Sequence, residues 1–539
     1  MRSTHHSVVG VRRAAWSLAL SALLAAAALP ATVAAQTLKL SAATVADINA
    51  ALDAGTLTSE ALVQQYLARI DAYDERGPEL NAVLWLNDGA LDTARTLDRE
   101  RRESGPRSRL HGVPVVLKDN VDTHDLPTTA GSVLLAGSIP PDDAFIVQKL
   151  RAAGAIILAK VNMSEFASGV PLSSIGGYTR NPHSLTRTPS GSSGGTGVAI
   201  AAAFGQMGIG TDTGGSVRGP STANGIVGLK TTHGLLSRDG IVPLGLSFDT
   251  AGPMARHVYD VAAMLSAMTG VDAADESTRK SDGKVMADYT SVLDATALEG
   301  ARVGIARDFL GQDGEVDWVI EASLQRMRDA GADVVDVAFP AWLLEARGEM
   351  YTTIRWREFR VQIAEYLSTL GDEYPKTLAE LVERSQKITA STAYGAQPNP
   401  TRWALMQREE ESGDVTDSEY LAVRDHGLAM VRTIVEGLLD ESDLDAIVYP
   451  TRPTRPSLVE GSSGAGGRSV TNIANLTGFP DLSVPAGFTS NRLPVNISFL
   501  GTAFAEARLL AIGYAFEQLT QARRDPAHTP SLPGEGIEQ

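Results

Sequence analysis

Short apolar segments rich in β-branched residues alternate with helical patterns along most of the chain, and this alternation strongly constrains the fold. Helical spacing of apolar residues separates the segments, as in "FIVQKLRAAG" at 145–154. The alternation predicts an α/β fold whose central, mixed, mostly parallel β-sheet carries helices on both faces. The main strand candidates are "GVPVVLKDN" (112–120), "AIILAK" (155–160), "MGIGTDTGGS" (207–216, a short strand running into a tight turn), "ARVGIARD" (301–308), "ADVVDVAF" (332–339), "LDAIVYP" (444–450), "DLSVPAGF" (481–488) and "PVNISFLG" (494–501).

The N-terminal segment differs in character from the rest of the chain. The pair Arg12-Arg13 precedes an apolar run over 14–29, and small residues at 33–35 offer a cleavage site before Gln36. The run is shorter than the roughly 20 residues of a membrane span. It therefore predicts a secretory signal peptide over residues 1–35, with no stable membrane insertion after cleavage; the alternative is an uncleaved anchor. The expected location is periplasmic or secreted, and the arginine pair leaves twin-arginine export open.

The remaining chain, residues 36–539, shows no linker or repeat that would divide it. We expect a single large domain, with charged helices over about 340–440 that form either a cover over the sheet or ordinary peripheral helices. The net charge of −17 disfavours nucleic acid and anionic membranes as partners. Because the sequence has no cysteine, stability must come from a large core. No nucleotide- or metal-binding motif is present, so neither a cofactor nor a metal is expected.

The stretch "PSGSSGGTG" (189–197) contains the pattern G-x-S-x-G, with Ser193 in the position of a serine-hydrolase nucleophile. Such a nucleophile follows a strand, but the residues that lead up to Ser192 are polar and include Pro182 and Pro189, which a central strand would not tolerate. No later histidine lies in a context typical of a catalytic base. The sequence therefore argues against a Ser-His-Asp hydrolase with Ser193 as its nucleophile.

Two other segments carry the residue types that acyl transfer requires. Gly214-Gly215 can adopt positive φ and leave backbone N–H groups free to bind an anion beside Ser216. A nucleophile next to such donors can attack a carbonyl while they hold the developing oxyanion. Lys118 ends an apolar strand, where burial would lower its pKa and make a neutral amine available as a base. Taken alone, Lys118 could also be a structural residue whose amine reaches solvent.

Together, these segments resemble the amidase signature family of serine hydrolases. The resemblance runs from about Ser41 to Arg524, with the signature core at about 110–260, and is closest to exported bacterial peptide-amidase-like members. Its motifs are Lys118, Gly191-Ser192-Ser193-Gly194-Gly195, Gly214-Gly215-Ser216-Val217-Arg218, "TAGSVLL" (129–135), "AKVNMSEFA" (159–167), "GIVGLKTTHGLLSRDGIVPL" (225–244), "DTAGPMARHVYD" (249–260), "YPTRP" (449–453) and "NLTGFPDLSVPAG" (475–487).

The resemblance implies a catalytic triad. Lys118 would be the base, Ser192 the proton relay, reached through a cis peptide after Gly191, and Ser216 the nucleophile. A neutral Lys118 would take the Ser192 proton while Ser192 takes the proton of Ser216, and Ser192 would then protonate the leaving amine. Water would finally hydrolyse the acyl-enzyme.

The resemblance also assigns supporting roles around the triad. Asp212 and Arg218 would brace the nucleophile turn, although they could also be only an ion pair, and Ser193 would support the geometry. The oxyanion would be held by the backbone N–H groups of Thr213, Gly214, Gly215 and Ser216.

The implied activity is hydrolysis of linear carboxamide bonds in a small-molecule or peptide substrate. Peptide C-terminal amides and other N-acyl or aryl amides are the main candidates, with esters or carbamates as alternatives. A glutamyl-tRNA amidotransferase subunit shares this core, but the signal peptide and the acidity argue against it. A non-catalytic binding protein on the same scaffold is a further alternative, which the intact Lys118, Ser192 and Ser216 disfavour.

Overall fold

The computed structural model describes residues 37–388, 398–459 and 472–538. The predicted signal peptide, residues 1–35, lies outside the described residues. Within them, no helix is both long enough and apolar enough to span a bilayer.

The secondary structure alternates as the sequence predicts. The helices of the described ranges are α1 (Val45–Ala54), α2 (Ser59–Tyr73), α3 (Ala90–Ser104), α4 (Phe145–Ala152), α5 (Gly194–Ala201), α6 (Arg218–Asn224), α7 (Val258–Met268), α8 (Gly314–Asp329), α9 (Ala341–Ser368), α10 (Leu378–Gln386), α11 (Pro400–Glu410), α12 (Ser418–Ala422), α13 (Leu428–Glu441), α14 (Asn472–Thr477) and α15 (Glu506–Thr520). The strands are β1 (Thr37–Leu38), β2 (Val83–Leu86), β3 (Pro114–Lys118), β4 (Ile156–Val161), β5 (Leu172–Ser173), β6 (Gly177–Tyr178), β7 (Met207–Asp212), β8 (Val227–Lys230), β9 (Thr250–Ala255), β10 (Arg302–Ala306), β11 (Asp333–Val337), β12 (Ala446–Pro450), β13 (Asp481–Phe488), β14 (Pro494–Leu500) and β15 (Ile537–Glu538).

Eleven of the described strands form one sheet, in the order β11–β10–β12–β14–β13–β8–β9–β7–β3–β4–β2. The predicted α/β fold with a mixed sheet is confirmed. The expectation that the sheet is mostly parallel is wrong, since four neighbouring pairs are parallel and six are antiparallel. The short connection between β13 and β14 explains part of the difference, because a hairpin can join only antiparallel neighbours.

The centre of the sheet is covered on both faces. Strands β3, β4, β7 and β9 are buried at every position, which a sheet with one face in water could not achieve. Helix α5 packs closely against this layer because its residues are small. A Cβ atom at Gly195 would lie only 2.2 Å from the Asn162 carbonyl oxygen. The close approach fixes the position of the loop that leads into α5.

Helices α9, α10 and α11 pack beside the loops that follow the carboxyl ends of β3 and β4. Phe359, Ile363 and Leu367 of α9 join a buried apolar cluster with Val242 and Leu244. The cluster anchors the helices to the segment that precedes β9. These helices therefore contact the part of the core from which the candidate catalytic residues emerge.

Candidate active site

The candidate residues meet where two parallel neighbours of the sheet end. Strand β3 ends at Lys118 and β7 ends at Asp212, and the two strands pair in parallel, so both carboxyl ends lie at one edge. Ser192 precedes α5 and Ser216 precedes α6. Both serines are therefore carried on turns that lead into helices packed over this edge.

Lys118 is buried and hydrogen-bonded at the centre of the site. Its side chain is 0% exposed, and its Nζ donates hydrogen bonds to Ser192 Oγ at 2.7 Å and to Thr211 Oγ1 at 2.6 Å. The peptide bond between Gly191 and Ser192 is cis, as the resemblance implies. The structure thus brings together the predicted base and the predicted proton relay in a buried environment.

The environment of Lys118 favours a neutral amine. Burial lowers the pKa of Lys118 from its usual value to about 7, and the carboxylates of Asp212 and Asp249 only partly oppose this shift. An amine with this pKa is substantially deprotonated at neutral pH, and it can then accept a proton from the Ser192 hydroxyl.

Ser216 lies in the turn between β7 and α6 and is partly exposed. Among the described residues, its hydroxyl and its N–H have no hydrogen-bond partner, and neither has the N–H of Thr213. The N–H of Gly215, in contrast, has a partner: it donates to Asp212 Oδ1 at 2.7 Å. Gly215 thus departs from the donor role that the resemblance implies: its N–H is committed to maintaining the turn.

Gly214 is in close contact with the helices outside the core. A Cβ atom at this position would lie 2.7 Å from Tyr351 Oη of α9, so no side chain fits without displacing the ring. Tyr351 in turn stacks on Phe248, with ring centroids 5.2 Å apart. The tyrosine ring is therefore held directly against the nucleophile turn.

Ser193 connects the two serine-bearing segments to each other. Its Oγ donates to the Thr211 carbonyl and accepts from the Thr211 N–H, each at 3.2 Å, and its own N–H donates to the Ser216 carbonyl at 3.2 Å. The hydroxyl is 0% exposed and committed to the end of β7. This arrangement fits the supporting role that the sequence predicts for Ser193.

A buried charge network lies beneath the nucleophile turn. Arg218 donates to Asp212 through Nε at 3.1 Å and Nη2 at 3.0 Å, and to Asp481 Oδ2 through Nη1 at 2.6 Å. Asn475 donates to Asp212 Oδ1 at 2.9 Å. Burial alone would raise the pKa of Asp212, but the charge and hydrogen bonds of Arg218 hold it well below its usual range. Asp212 and Arg218 are therefore part of a larger network, in which the arginine pairs with two carboxylates.

Removing the arginine from this network should strongly destabilise the protein. Arg218→Met leaves Asp212 and Asp481 buried without compensation, so we expect the free energy of unfolding to fall by about 3–5 kcal/mol. The measurement is urea denaturation followed by circular dichroism. Arg307→Met is the matched control, because Arg307 forms exposed salt bridges with Glu321 and Asp336 and should change the free energy by less than about 1 kcal/mol. Equal effects of the two variants would contradict the proposed importance of the buried network.

Sequence reasoning assigned no role to several residues that hold the site together. Thr211 accepts from Lys118, and Asp249 Oδ1 accepts from the Thr213 hydroxyl at 2.5 Å. Asn475 and Asp481 reach Asp212 and Arg218 from more than 250 residues further along the chain. All four lie in or beside segments that the family resemblance covers, but only the tertiary fold brings Asn475 and Asp481 to the site.

One group of side chains could hold a metal ion within the described ranges, formed by His124, Asp125 and Asp143. Arg151 donates to Asp125 at 2.7 Å and contacts Asp143 at 2.9 Å. The guanidinium thus already pairs with both carboxylates, as in an ordinary ion-pair cluster.

Comparison with known proteins gives consistent matches over most of the chain. Residues 61–510 match the model of a protein family described as amidase. The chain is 35% identical to a glutamyl-tRNA(Gln) amidotransferase subunit from Halorhodospira halophila, over 88% of this chain and 97% of that protein. It is 32% identical to a probable amidase of Arabidopsis thaliana, over 91% and 92% respectively. The crystal structure of the native peptide amidase from Stenotrophomonas maltophilia matches with a TM-score of 0.83 and 38% identity, covering 90% of this chain and 99% of that one.

Proposed function

Since the chain belongs to the amidase family of amide-hydrolysing enzymes, we propose that it cleaves linear carboxamide bonds through Ser216, Ser192 and Lys118. Ser216 attacks the carbonyl carbon and forms an acyl-enzyme, which water then hydrolyses. The observation that carries this proposal is the 2.7 Å hydrogen bond between Lys118 Nζ and Ser192 Oγ in a buried environment.

The buried hydrogen bond supports a proton relay. Because burial lowers the pKa of Lys118 to about 7, the neutral amine can take the proton of Ser192 while Ser192 takes the proton of Ser216. When the tetrahedral intermediate collapses, Ser192 returns a proton to the departing nitrogen, so that the amine leaves as a neutral molecule. The second half-reaction uses the same groups, with water in place of the amine.

The nucleophile turn supports the stabilisation of negative charge. The N–H groups of Thr213 and Ser216 lack partners among the described residues and flank the nucleophile. They would donate to the oxyanion of the tetrahedral intermediate, and one such donor contributes about 3–4 kcal/mol in other hydrolases. Thr213 is itself anchored, since its hydroxyl donates to the buried Asp249.

As substrates we propose peptide C-terminal amides or other N-acyl and aryl amides. The similarity to a peptide amidase over 90% of this chain supports this choice. The predicted signal peptide supports a periplasmic or secreted location, and the acidity of the chain argues against tRNA as a partner. The identity to glutamyl-tRNA amidotransferase subunits makes hydrolysis of glutamine the second candidate.

The two candidates differ in the substrate that releases ammonia. We expect an N-acyl dipeptide amide to be hydrolysed with kcat/KM of about 10⁴ M⁻¹s⁻¹ or more, and free glutamine at least about tenfold more slowly. An ammonia-release assay on the purified enzyme measures both, and a matched anilide, ester and carbamate define the bond preference. Faster turnover of glutamine than of every other amide would overturn the proposed substrate class.

A further inference from the structure

Arg452 lies between the two segments that carry the catalytic serines. It follows β12, and its Nη2 donates to Ser190 Oγ at 2.6 Å, two residues before Ser192. On its other side is Gly219 in the first turn of α6, three residues after Ser216, where a Cβ atom would lie 3.5 Å from the same nitrogen. The guanidinium is therefore adjacent to both the proton-relay segment and the nucleophile segment.

The charge of Arg452 has no counter-ion among the described residues, unlike that of several arginines in the interior. Arg69 pairs with Glu535 at 2.6 Å, and Arg355 and Arg402 share Glu409 at 2.5 and 2.7 Å. The Ser190 hydroxyl is the one acceptor that the described residues offer to Arg452. Burial lowers the pKa of Arg452 with no opposing charge, but a guanidinium remains protonated in proteins.

The free donors of Arg452 are accessible. The side chain is partly exposed, and none of its nitrogens is among the described side-chain atoms that are both buried and unpartnered. Several N–H groups of the Arg452 guanidinium are thus available to a ligand from the solvent side. A planar fork of this kind matches the two oxygens of a carboxylate.

We propose that Arg452 binds a carboxylate carried by the substrate close to the scissile amide, so that the enzyme prefers acidic amides. The inference rests on the proposed function and narrows its substrate class. The carboxylate can come from the acyl part of the substrate, as in an acidic peptide amide, or from the departing amine, as in an N-acyl amino acid. In either case the reaction is the same hydrolysis: the C–N bond breaks, Ser192 protonates the nitrogen, and the acyl group passes from Ser216 to water.

Two matched pairs of chromogenic amides test the inference. The acyl pair is the 4-nitroanilide of succinic acid and that of butyric acid; the amine pair is an N-acyl 4-nitroanilide and its 3-carboxy derivative. We expect wild-type kcat/KM to favour the carboxylated member of at least one pair by roughly tenfold or more, as for a charge-assisted hydrogen bond. The pair that shows the preference identifies the source of the carboxylate.

The variants then assign the preference to one side chain. In Arg452→Met the ratio within that pair should fall to about one, and in Arg452→Lys it should take an intermediate value, because a point charge replaces the fork. Arg455→Met is the matched control: this arginine lies three residues away in the same loop, but Asp313 at 2.7 Å and Glu315 at 2.9 Å compensate it. The control should keep the wild-type ratio.

The results of these assays distinguish a failure of this inference from a failure of the proposed function. If the wild-type enzyme hydrolyses the neutral anilides but prefers neither carboxylated substrate, the inference is overturned while the proposed function stands. An equal loss on both members of a pair in Arg452→Met, with the ratio kept, would also overturn it and show that Arg452 only holds the Ser190 loop. Absence of turnover for every amide, together with absence of labelling by a fluorophosphonate, would overturn the proposed function itself.

Discussion

Replacing Ser216 with alanine is expected to lower kcat by roughly 10⁴- to 10⁶-fold, the range found when the nucleophile of a serine hydrolase is removed. The hydroxyl of Ser216 is partly exposed and has no partner among the described residues, so its loss should barely change stability. Turnover of a chromogenic anilide measures the loss, and a fluorophosphonate probe should no longer label the protein.

Ser193→Ala is the matched control, because this serine stands next to the relay and fits the G-x-S-x-G pattern. Its buried hydroxyl is committed to the Thr211 backbone, so we expect a loss of stability of about 1 kcal/mol with labelling retained. Loss of labelling in Ser193→Ala, with labelling retained in Ser216→Ala, would show that the nucleophile has been wrongly assigned.

Replacing Lys118 with methionine is expected to lower kcat/KM by about 10²- to 10⁴-fold, the usual contribution of a general base. The direction in which kcat/KM changes with pH depends on which protonation state of Lys118 acts as the base. Lys118 must be neutral, and its pKa is lowered to about 7, so wild-type kcat/KM should rise with pH through about 7 and level off above it. Below that pH it should fall by about tenfold per unit, and this limb should be missing in Lys118→Met.

Lys160→Met serves as the control for the pH profile. Lys160 is a second fully buried lysine, on the neighbouring strand β4, and burial also lowers its pKa. Its amine donates to Thr128 Oγ1 at 2.7 Å and to the Pro127 carbonyl at 3.1 Å, away from the serines. The variant should keep the rise of kcat/KM through pH 7. A wild-type profile that is flat between pH 5 and 9 would contradict the role of Lys118.

The features that could be predicted from the sequence are those that depend only on neighbouring residues along the chain. Lys118 and Asp212 end apolar strands, and the glycine-rich turns at Ser192 and Ser216 each precede a helix. Both features depend on neighbouring residues and can be recognised in a short segment. The fold class and the central strands were predictable for this reason, whereas the grouping of Lys118 with the two serine turns was implied by the family resemblance.

The residues that were missed depend on the order of strands in the sheet. Asp481 begins β13, which lies three strands from β7, and Arg452 follows β12, five strands away. No periodicity within a segment encodes which strand becomes its neighbour, so neither residue could be assigned to the site. The excess of antiparallel pairs has the same origin, because the direction of a strand depends on its partners in space.

The contact between Tyr351 and Gly214 couples helix α9 to the turn that carries Ser216. At Gly214 the backbone lies so close to the tyrosine ring that no side chain fits there without displacing the ring. Substitutions of Tyr351 would therefore act directly on the turn that carries Ser216, although the two residues lie far apart in the sequence.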